Sequence, residues 1–367
     1  MKITFNKENL VKATQILSTV VTTKTPLVIL NNVLMETVSE KEVKLSATDL
    51  EVSVSIKIPA EVTEQGCITI PAKKFNDIIR EIPDKDPIQL DVKKNNNIII
   101  ESGQCFFKLI GLPKDDFPRI PDLEKAEEIK ISLEAFSNML DLTSFSVSYD
   151  DTRPSLKGVL FIIKDNTITL VATDGRRLAK IKDKTLSNLK TEYKAIVPTK
   201  TIQELSRSLS REEKIKIYLD SNQIGFSFNG ITIISRLIEG NFPDYNQIIP
   251  KEVETQLKIN REQLFSAVKR TSLLTTHISQ KIRMDLFKNK IVVLGSSVEL
   301  GEAKEEIEIE KQEKEMSIAV NPNYLTDVLK NIPTEDVLLE LTETEKPMAL
   351  KIDGMDYIYV VMPMKLD

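Results

Sequence analysis

The chain has 367 residues, 41% of them apolar and 29% charged, and a net charge of −5 at pH 7. This length exceeds one ordinary domain, and the composition is typical of a globular protein that can build several hydrophobic cores. The net negative charge argues against a protein that coats nucleic acid with its whole surface, but not against one that gathers its cations on a single face.

The chain carries no signal that would place it in a membrane or an oxidising compartment. No apolar run is long enough to span a membrane, and the N-terminus lacks the apolar core of a signal peptide, so we expect a cytoplasmic protein. Cys67 and Cys105 suggest neither a disulfide framework nor a zinc site. The single histidine, His277, lies in no recognisable nucleophile–histidine–acid pattern. We therefore expect no catalytic residue, no metal and no cofactor.

A strand followed by an amphipathic helix opens the chain and returns twice. The first copy covers residues 3–17, and the pattern recurs at 129–143 and 257–271. A residue that favours the helix N-cap precedes each helix, and a glutamate follows in the first turn. The three caps are Asn6, Ser132 and Asn260.

Strands of alternating polarity follow each of these helices. In the first copy they are predicted at residues 33–37, 42–47, 52–58 and 98–102. Alternation predicts antiparallel sheets with one solvated face. The charged segment 302–314 is interpreted as a half-exposed outer hairpin rather than as an acidic tail.

A second amphipathic helix is also predicted three times, at residues 71–82, 198–209 and 321–332. The face opposite its apolar stripe carries a cation at one recurring position, namely Arg80, Arg207 and Lys330. For any single helix, a solvated charged face is the alternative interpretation. Acids recur one turn away, so these faces are mixed rather than purely basic: Asp77, Glu204 and Asp327.

The repeats have a period of about 125 residues, which indicates three copies of one domain rather than a solenoid of small units. We predict domains at 1–125, 126–250 and 251–367, with proline-containing connectors between them. Each domain is expected to be α+β, with two helices packed on antiparallel sheets.

Three segments carry a specific resemblance. They are ATDGRRLA at 172–179, NFPDY at 241–245 and YVVMPMKL at 359–366. With the three repeats, they resemble the family of bacterial sliding clamps, the beta subunits of DNA polymerase III, over essentially the whole chain. The resemblance implies three clamp domains per chain and a head-to-tail homodimer that forms a ring around duplex DNA. Inward cations would then attract phosphates without reading bases.

The resemblance also implies partners that dock through short peptides in an apolar cleft between the second and third domains. These partners are the DNA polymerase III alpha subunit, other polymerases, the clamp loader, and mismatch-repair and ligation proteins. The matching positions are Leu156, Thr173, Gly175, Arg176, Arg177, Leu178, Pro243, Ile248, Val360, Val361, Met362, Pro363, Met364 and Leu366. Arg176 replaces a histidine that is common in the family. For Val360 and Val361, a closing strand of the third domain is an equal alternative.

For double-stranded DNA, the resemblance implies contacts from two loop cations, Lys24 and Arg153. Pro154 and Ser155 follow Arg153 where some members carry aromatic residues, so base stacking from this loop is not expected. Further candidates are the cations that lie away from the apolar stripe on the predicted helices: Lys12, Lys73, Arg80, Lys200, Arg207, Lys269 and Lys330. The implied dimer contact joins an edge strand of one chain to a helix end of the other, through Phe107 and Leu109 on one side and Leu273 and Leu274 on the other.

Two other classes of function remain alternatives. A metal-dependent enzyme acting on nucleic acid would need clustered acids between repeats, whereas Asp49 and Asp174 recur singly at strand ends. A pure scaffold would never contact DNA. The resemblance implies that a separate ATP-driven loader places the ring on DNA, and no nucleotide-binding loop of the GxxxxGK[ST] type occurs in this sequence.

Overall fold

The computed structural model describes residues 1–21, 25–123, 126–185, 192–209, 214–276, 280–310, 312 and 314–366. These residues form two compact units, one of residues 1–134 with 200–237 and the other of residues 135–199 with 238–367. The second repeat therefore contributes to both units. None of the helices in the described ranges is long and apolar enough to cross a membrane.

The first repeat starts with β1 (Lys2–Phe5) and α1 (Lys7–Val20). Asn6 caps α1, because its side chain accepts a hydrogen bond of 2.9 Å from the backbone N–H of Glu8. The remaining elements are β2 (Asn32–Ser39), β3 (Glu42–Thr48), β4 (Val52–Pro59), β5 (Glu61–Glu64), β6 (Cys67–Pro71), α2 (Ala72–Glu81), β7 (Ile88–Val92), β8 (Asn97–Ser102) and β9 (Cys105–Ile110).

The second and third repeats follow the same order with fewer strands. The second contains β10 (Glu127–Ser132), α3 (Leu133–Asp141), β11 (Gly158–Lys164), β12 (Thr167–Thr173), β13 (Arg177–Lys184), β14 (Tyr193–Pro198), α4 (Thr199–Ser208), β15 (Lys214–Leu219), β16 (Gln223–Phe228) and β17 (Ile231–Arg236). The third contains β18 (Thr255–Asn260), α5 (Arg261–Ser272), β19 (Ile282–Leu286), β20 (Lys290–Ser297), β21 (Gly301–Glu308), β22 (Met316–Val320), α6 (Pro322–Asn331), β23 (Asp336–Leu341), β24 (Met348–Lys351) and β25 (Asp356–Val361).

The first unit contains two antiparallel sheets. One has the strand order β5-β1-β7-β8-β9, and the other has the order β10-β15-β16-β17-β4-β3-β2-β6. The larger sheet passes from the second repeat into the first where β17 pairs with β4, with Ile233 opposite Val54. Helix α1 packs against α2 and across β3 and β4, so its apolar stripe forms part of the core.

The second unit is built in the same way. One sheet has the order β14-β11-β12-β13-β25-β24-β23-β18, and the other has the order β21-β20-β19-β22. The larger sheet joins the second and third repeats where β13 pairs with β25, with Ala179 opposite Tyr359. Helix α5 packs against α6 and on β20 and β21.

The predicted α+β class and antiparallel sheets are confirmed, and the apolar phase of the helices is confirmed at nearly every position. All inward residues predicted for the three opening helices are buried. In the second-helix stripe, Ser206 is exposed, against the prediction, because a short polar side chain gains nothing from burial there. The charged segment 302–314 forms a half-exposed strand, β21, as predicted, but its hairpin partner is the preceding strand β20, with Ile291 opposite Ile307, and not the end of the same segment.

Candidate functional site

The turn between β12 and β13 has a backbone fixed by its own side chains. The Oδ1 atom of Asp174 accepts hydrogen bonds from the backbone N–H groups of Arg176 (2.9 Å) and Arg177 (3.0 Å). Gly175 has a φ of 88°, a left-handed conformation that favours glycine. A Cβ atom there would also lie 2.8 Å from Nη1 of Arg153. The turn therefore holds Arg176 at the surface in a defined position.

Arg177, the next residue, points into the protein and is 8% exposed. Its guanidinium pairs with Asp174 at 3.1 Å and with Asp327 of α6 at 2.5 Å, and donates to the carbonyl of Phe145 at 2.7 Å. The guanidinium carbon also lies 4.7 Å from the ring centroid of Tyr324. Arg177 thus links the turn to α6, and its donors are occupied within the protein.

Two buried tyrosines of β25 complete this cluster. The hydroxyl of Tyr359 donates to the carbonyl of Tyr324 at 2.8 Å, and that of Tyr357 donates to the carbonyl of Leu142 at 3.2 Å. Burial raises the pKa of both phenols above the ordinary value. Burial alone would lower the pKa of Arg177, but Tyr359 and Asp327 outweigh it and raise that pKa. Over the ordinary pH range the cluster therefore holds a charged arginine beside the neutral phenol of Tyr359.

An apolar surface lies beside the turn. Its floor is a cluster of buried residues from the second and third repeats, Leu160, Val171, Leu178, Ile196, Ala349 and Val360. Partly buried side chains pack against this floor, and most belong to segment 238–249: Ile162, Ile238, Phe242, Tyr245, Ile248, Ile249 and Ile358. The cluster itself is buried, and the partly buried side chains on it form the apolar surface that suits the side chains of an apolar ligand.

A cavity of about 510 Å³ adjoins this surface and is lined by Arg176, Lys281, Asn321, Tyr324, Met362, Pro363, Met364 and Lys365. Backbone hydrogen bonds hold the C-terminal segment along it. The N–H of Met362 donates to the carbonyl of Arg176 at 2.9 Å, and that of Met364 donates to the carbonyl of Ala319 at 2.7 Å. Nζ of Lys281 donates to the carbonyl of Lys365 at 3.0 Å.

The structure brings together the two segments predicted for peptide binding, 173–178 and 360–366, since Leu178 lies opposite Val360. Gly175, Arg176, Pro243, Met362 and Met364 are exposed, and Ile248, Pro363 and Leu366 are half-buried. The others lie behind this surface, where they support its shape: Leu156, Thr173, Arg177, Leu178, Val360 and Val361. Val360 and Val361 belong to the closing strand β25, which was the alternative interpretation.

Sequence reasoning missed several residues of this site. Lys281, Asn321 and Tyr324 line the cavity, and Phe242 and Tyr245 pack on the apolar floor. Tyr324 occurs in the repeated helix, but the periodic pattern described only the stripe that faces its own sheet. Only the pairing of β13 with β25 brings the side of α6 to the turn.

The cations predicted to contact DNA differ in their exposure and in whether an acidic side chain pairs with them. Lys73, Arg80, Arg153 and Lys330 are exposed and form no ion pair with another residue in the described ranges. Three others have acidic partners, and Lys269 lies 5.8 Å from the ring of Phe265. The pairs are Lys12 with Glu8, Arg207 with Glu204, and Lys200 with Asp49. Lys24 lies outside the described residues.

The residues predicted for the dimer contact lie at strand and helix ends. Phe107 and Leu109 are half-buried on β9, an outer strand of its sheet. Their neighbours Phe106 and Ile110, which sequence reasoning missed, are 61% and 72% exposed. Leu273 is 73% exposed directly after α5, and Leu274 is half-buried.

Three sequence families match successive parts of the chain. They are described as the N-terminal, central and C-terminal domains of the DNA polymerase III beta subunit, and they match residues 1–121, 130–244 and 246–365. The chain belongs to the DNA polymerase III beta-subunit family. Its fold is accordingly that of three successive clamp domains.

Relatives of this family match over nearly the whole chain. The beta sliding clamp of Chlamydia muridarum is 32% identical over 358 residues, which are 98% of this chain and 96% of that protein. A sliding clamp from Pseudomonas aeruginosa, bound to griselimycin, has a TM-score of 0.95 at 32% identity, with both chains fully covered. The sliding clamp from Bacillus subtilis has a TM-score of 0.95 at 26% identity, again with full coverage.

Proposed function

We propose that the protein is a DNA sliding clamp, a homodimer that closes into a ring around duplex DNA and holds a replicative polymerase on its template. It would act as a processivity factor without catalysis of its own, in the cytoplasm where bacterial DNA is replicated. Its domains would be residues 1–125, 126–250 and 251–367. The observation that carries the proposal concerns β9 and β21, which each lie at the edge of a sheet. Their counterparts in the other repeats pair with each other at the two internal junctions, where one repeat joins the next.

The two internal junctions use the same strands in the same register. At the first junction, β4 pairs with β17 and Val54 lies opposite Ile233. At the second, β13 pairs with β25 and Ala179 lies opposite Tyr359. Val54 and Ala179 are equivalent, since each lies opposite the alanine of the recurring Ala-Thr-Asp segment.

The closing strands are also equivalent between repeats. Just beyond its closing strand, each repeat has a residue that donates its backbone N–H to the strand before the second helix. This donor comes five positions after Ile233 in the second repeat and five positions after Tyr359 in the third. The three hydrogen bonds run from Leu112 to Thr69 (3.1 Å), from Ile238 to Ile196 (2.9 Å) and from Met364 to Ala319 (2.7 Å). Phe107 of the first repeat therefore corresponds to Ile233 and Tyr359. In the third repeat, Ala303 lies opposite Gly295 and corresponds to Val54 and Ala179.

If two chains pair in the same register as the internal junctions, β9 of one copy lies beside β21 of the other, with Phe107 opposite Ala303. Lys108 then lies opposite Glu302, and the exposed Ile110 reaches Leu300, which is 53% exposed. Cross-strand pairs of opposite charge and of apolar side chains stabilise antiparallel sheets. Because each chain has both strands, two copies would form two such contacts and close a head-to-tail ring.

Disulfide cross-linking tests this register directly, because Cys105 would lie opposite Glu305 of the second copy. In a Cys67→Ser background, Glu305→Cys should give a covalent dimer under mild oxidation. Lys304→Cys in the same background is the matched control, since neighbouring strand residues point to opposite faces. Cross-linking at 304 but not at 305 would contradict the register, and cross-linking at neither would contradict the pairing of β9 with β21.

The helix end beside β21 is proposed to add apolar contact to the same interface. Leu273→Ala combined with Leu274→Ala should shift the protein towards monomer, because both side chains would lose buried apolar area. Sedimentation equilibrium measures the shift. A double variant as tightly dimeric as the parent protein would remove these two residues from the interface.

We propose that peptide segments of partner proteins bind the apolar surface and the adjoining cavity of the second unit. The partners would be the DNA polymerase III alpha subunit, other polymerases, the clamp loader, and mismatch-repair and ligation proteins. Met362 and Met364 support this role, since exposed methionines give an adaptable apolar surface. A binding assay with such peptides, compared between the parent and Met362→Ser, tests the site.

For DNA, the predicted cations are proposed to contact phosphates, with the free ones, such as Arg80 and Lys330, contributing most. Reversing charge in an Arg80→Glu, Arg207→Glu, Lys330→Glu variant should reduce polymerase processivity while the dimer stays intact. Unchanged processivity would instead favour a scaffold that never contacts DNA.

No observation favours the alternative of a metal-dependent enzyme. The recurring acids are used in turns: Oδ1 of Asp49 accepts from the N–H groups of Glu51 and Val52, at 3.0 and 2.7 Å. Within the described ranges, no group of three or more metal-ligating side chains occurs. An assay for nuclease activity with added divalent metal would test this alternative.

A further inference from the structure

The repeated helices α2, α4 and α6 each carry an acid at the sixth position and a cation at the ninth. An acid three positions before a cation lies on the same helix face, where the two side chains can pair. The acids are Asp77, Glu204 and Asp327, and the cations are Arg80, Arg207 and Lys330. The structure gives each of these three acids a different set of contacts.

In α4 the acid and the cation are paired. Nη1 of Arg207 lies 3.1 Å from Oε1 of Glu204, and the two side chains are 60% and 4% exposed. The other carboxylate oxygen of Glu204, Oε2, accepts a hydrogen bond from the hydroxyl of Thr19, in the last turn of α1. Glu204 is thus anchored on the first repeat, and the exposed Arg207 is held against it.

The burial of Glu204 favours the closed pair. A carboxylate that is removed from water is costly unless a cation and hydrogen bonds compensate it. If Arg207 turned away to a phosphate, Glu204 would lose its cation and keep only the Thr19 hydroxyl. The pair also offsets the charge of Arg207, so this arginine should attract a phosphate less strongly than an unpaired cation does.

The cations at the same position of α2 and α6 have no such restraint. Asp77 and Arg80 are both exposed, and they form no ion pair with each other. Asp327 pairs instead with Arg177 of β13, at 2.5 Å. Lys330 is exposed and has no acidic partner among the residues that the structure describes.

We propose that Glu204 is a positioning residue that restrains Arg207, so that Arg207 holds a phosphate less strongly than Arg80 or Lys330 does. The inference rests on the proposed encirclement of duplex DNA, and it adds a residue that limits the strength of that contact. A ring that moves along duplex DNA needs phosphate contacts that form and break easily, and a cation already paired within the protein provides one.

The salt dependence of duplex binding tests this role in the full-length protein. On logarithmic scales, the affinity for a fluorescent duplex falls with salt concentration with a slope of about 0.9 for each phosphate that a cation neutralises. Arg80→Gln should reduce this slope by about 0.9, whereas Arg207→Gln should leave it nearly unchanged. Glu204→Gln keeps the size of the side chain and should increase the slope by about 0.9, because it frees Arg207.

Matched variants separate the release of Arg207 from the simple loss of a negative charge. Asp77→Asn removes an acid at the equivalent position without freeing a paired cation, so it should change the slope far less than Glu204→Gln. Adding Arg207→Gln to Glu204→Gln should return the slope to the parent value. Sedimentation equilibrium checks that each variant remains dimeric.

Equal slope changes in Asp77→Asn and Glu204→Gln would overturn the restraint. A Glu204→Gln variant that loses stability but keeps the parent slope would also overturn it, because Glu204 would then only join the two repeats. If Glu204→Gln failed to fold, a loss of slope in Arg207→Gln as large as that in Arg80→Gln would have the same meaning. Absence of duplex binding by the parent protein would overturn the proposed clamp function as well.

Discussion

The two internal junctions share one backbone arrangement and differ in their side chains. Each joins two repeats through an antiparallel pair in the same register, β4 with β17 and β13 with β25. Each has an aspartate-capped turn at its edge. Each also has one equivalent backbone hydrogen bond of 2.9 Å, from Arg236 to Glu51 at the first junction and from Met362 to Arg176 at the second.

The side chains give the junctions different properties. At the first, the turn carries Leu50 and Glu51, and the nearly buried carboxylate of Asp49 pairs with the half-exposed Lys200. At the second, the turn carries Gly175 and Arg176, and a buried arginine lies between two aspartates. The repeat thus supplies the same backbone twice, but within the described ranges the exposed methionines of the proposed peptide site lie at the second junction.

Removal of the buried arginine should produce the largest difference between the junctions. Arg177→Met leaves Asp174 and Asp327 without their partner and should lower the free energy of unfolding by about 3 kcal/mol, measured by urea unfolding. Loss of the cation that pairs with Asp49 at the first junction, in Lys200→Met, should cost about 1 kcal/mol, because Lys200 is 39% exposed and the 7% exposed carboxylate of Asp49 keeps its hydrogen bonds from the N–H groups of Glu51 and Val52.

Arg177→Lys is the control for charge, and it should recover only part of the loss because lysine lacks the planar fork of donors. Equal effects of Arg177→Met and Lys200→Met would contradict the distinction between a buried arginine and a half-exposed lysine.

Alkaline pH should destabilise the second junction selectively. The raised pKa values of Tyr357 and Tyr359 mean that the neutral phenols favour the folded state, so their contribution is complete below about pH 10 and is lost as the pH rises further. The slope should reach about 1.4 kcal/mol per pH unit for each tyrosine. Their counterparts at the first junction, Ile231 and Ile233, do not titrate.

Urea unfolding between about pH 9 and pH 11 measures this slope. The Tyr357→Phe, Tyr359→Phe variant should show a clearly smaller slope than the parent protein. If the two slopes were the same, the alkaline loss would arise elsewhere in the chain.

Exchange of the turn residues should give the smallest stability effects, with a clear loss of stability only at the second junction. Leu50 and Gly175 are equivalent and have φ angles of 78° and 88°. Gly175→Ala should cost about 1 kcal/mol through backbone strain, with contact against Arg153 adding to it. Leu50→Gly relieves similar strain but adds freedom to the unfolded chain, so it should change stability by less than about 0.5 kcal/mol.

Peptide affinity provides a second measurement for this pair. Gly175→Ala should weaken peptide binding because it displaces Arg176, whereas Leu50→Gly should leave it unchanged. Weakened binding in both variants would show that the first junction also takes part in docking.

Local patterns in the sequence were enough to predict much of the fold. The phase of Leu10, Ala13, Thr14 and Leu17 identified the buried face of α1, and the recurring Ala-Thr-Asp segment identified equivalent strand ends. These predictions succeed because helical and strand periodicity depend on residues close together in the chain. The two segments of the candidate peptide site were grouped by the resemblance to the sliding-clamp family and not by periodicity.

The sequence by itself therefore determined the three repeats, their α+β class and the family, whereas the segments of the peptide site stay a prediction. Only the tertiary structure decided that Arg177 is buried, that Lys200 pairs with Asp49, and that Tyr324 and Lys281 line the cavity. The two ion pairs at the junctions join residues 150 and 151 positions apart. Such contacts depend on how whole sheets pair between repeats, and no local periodicity records that pairing.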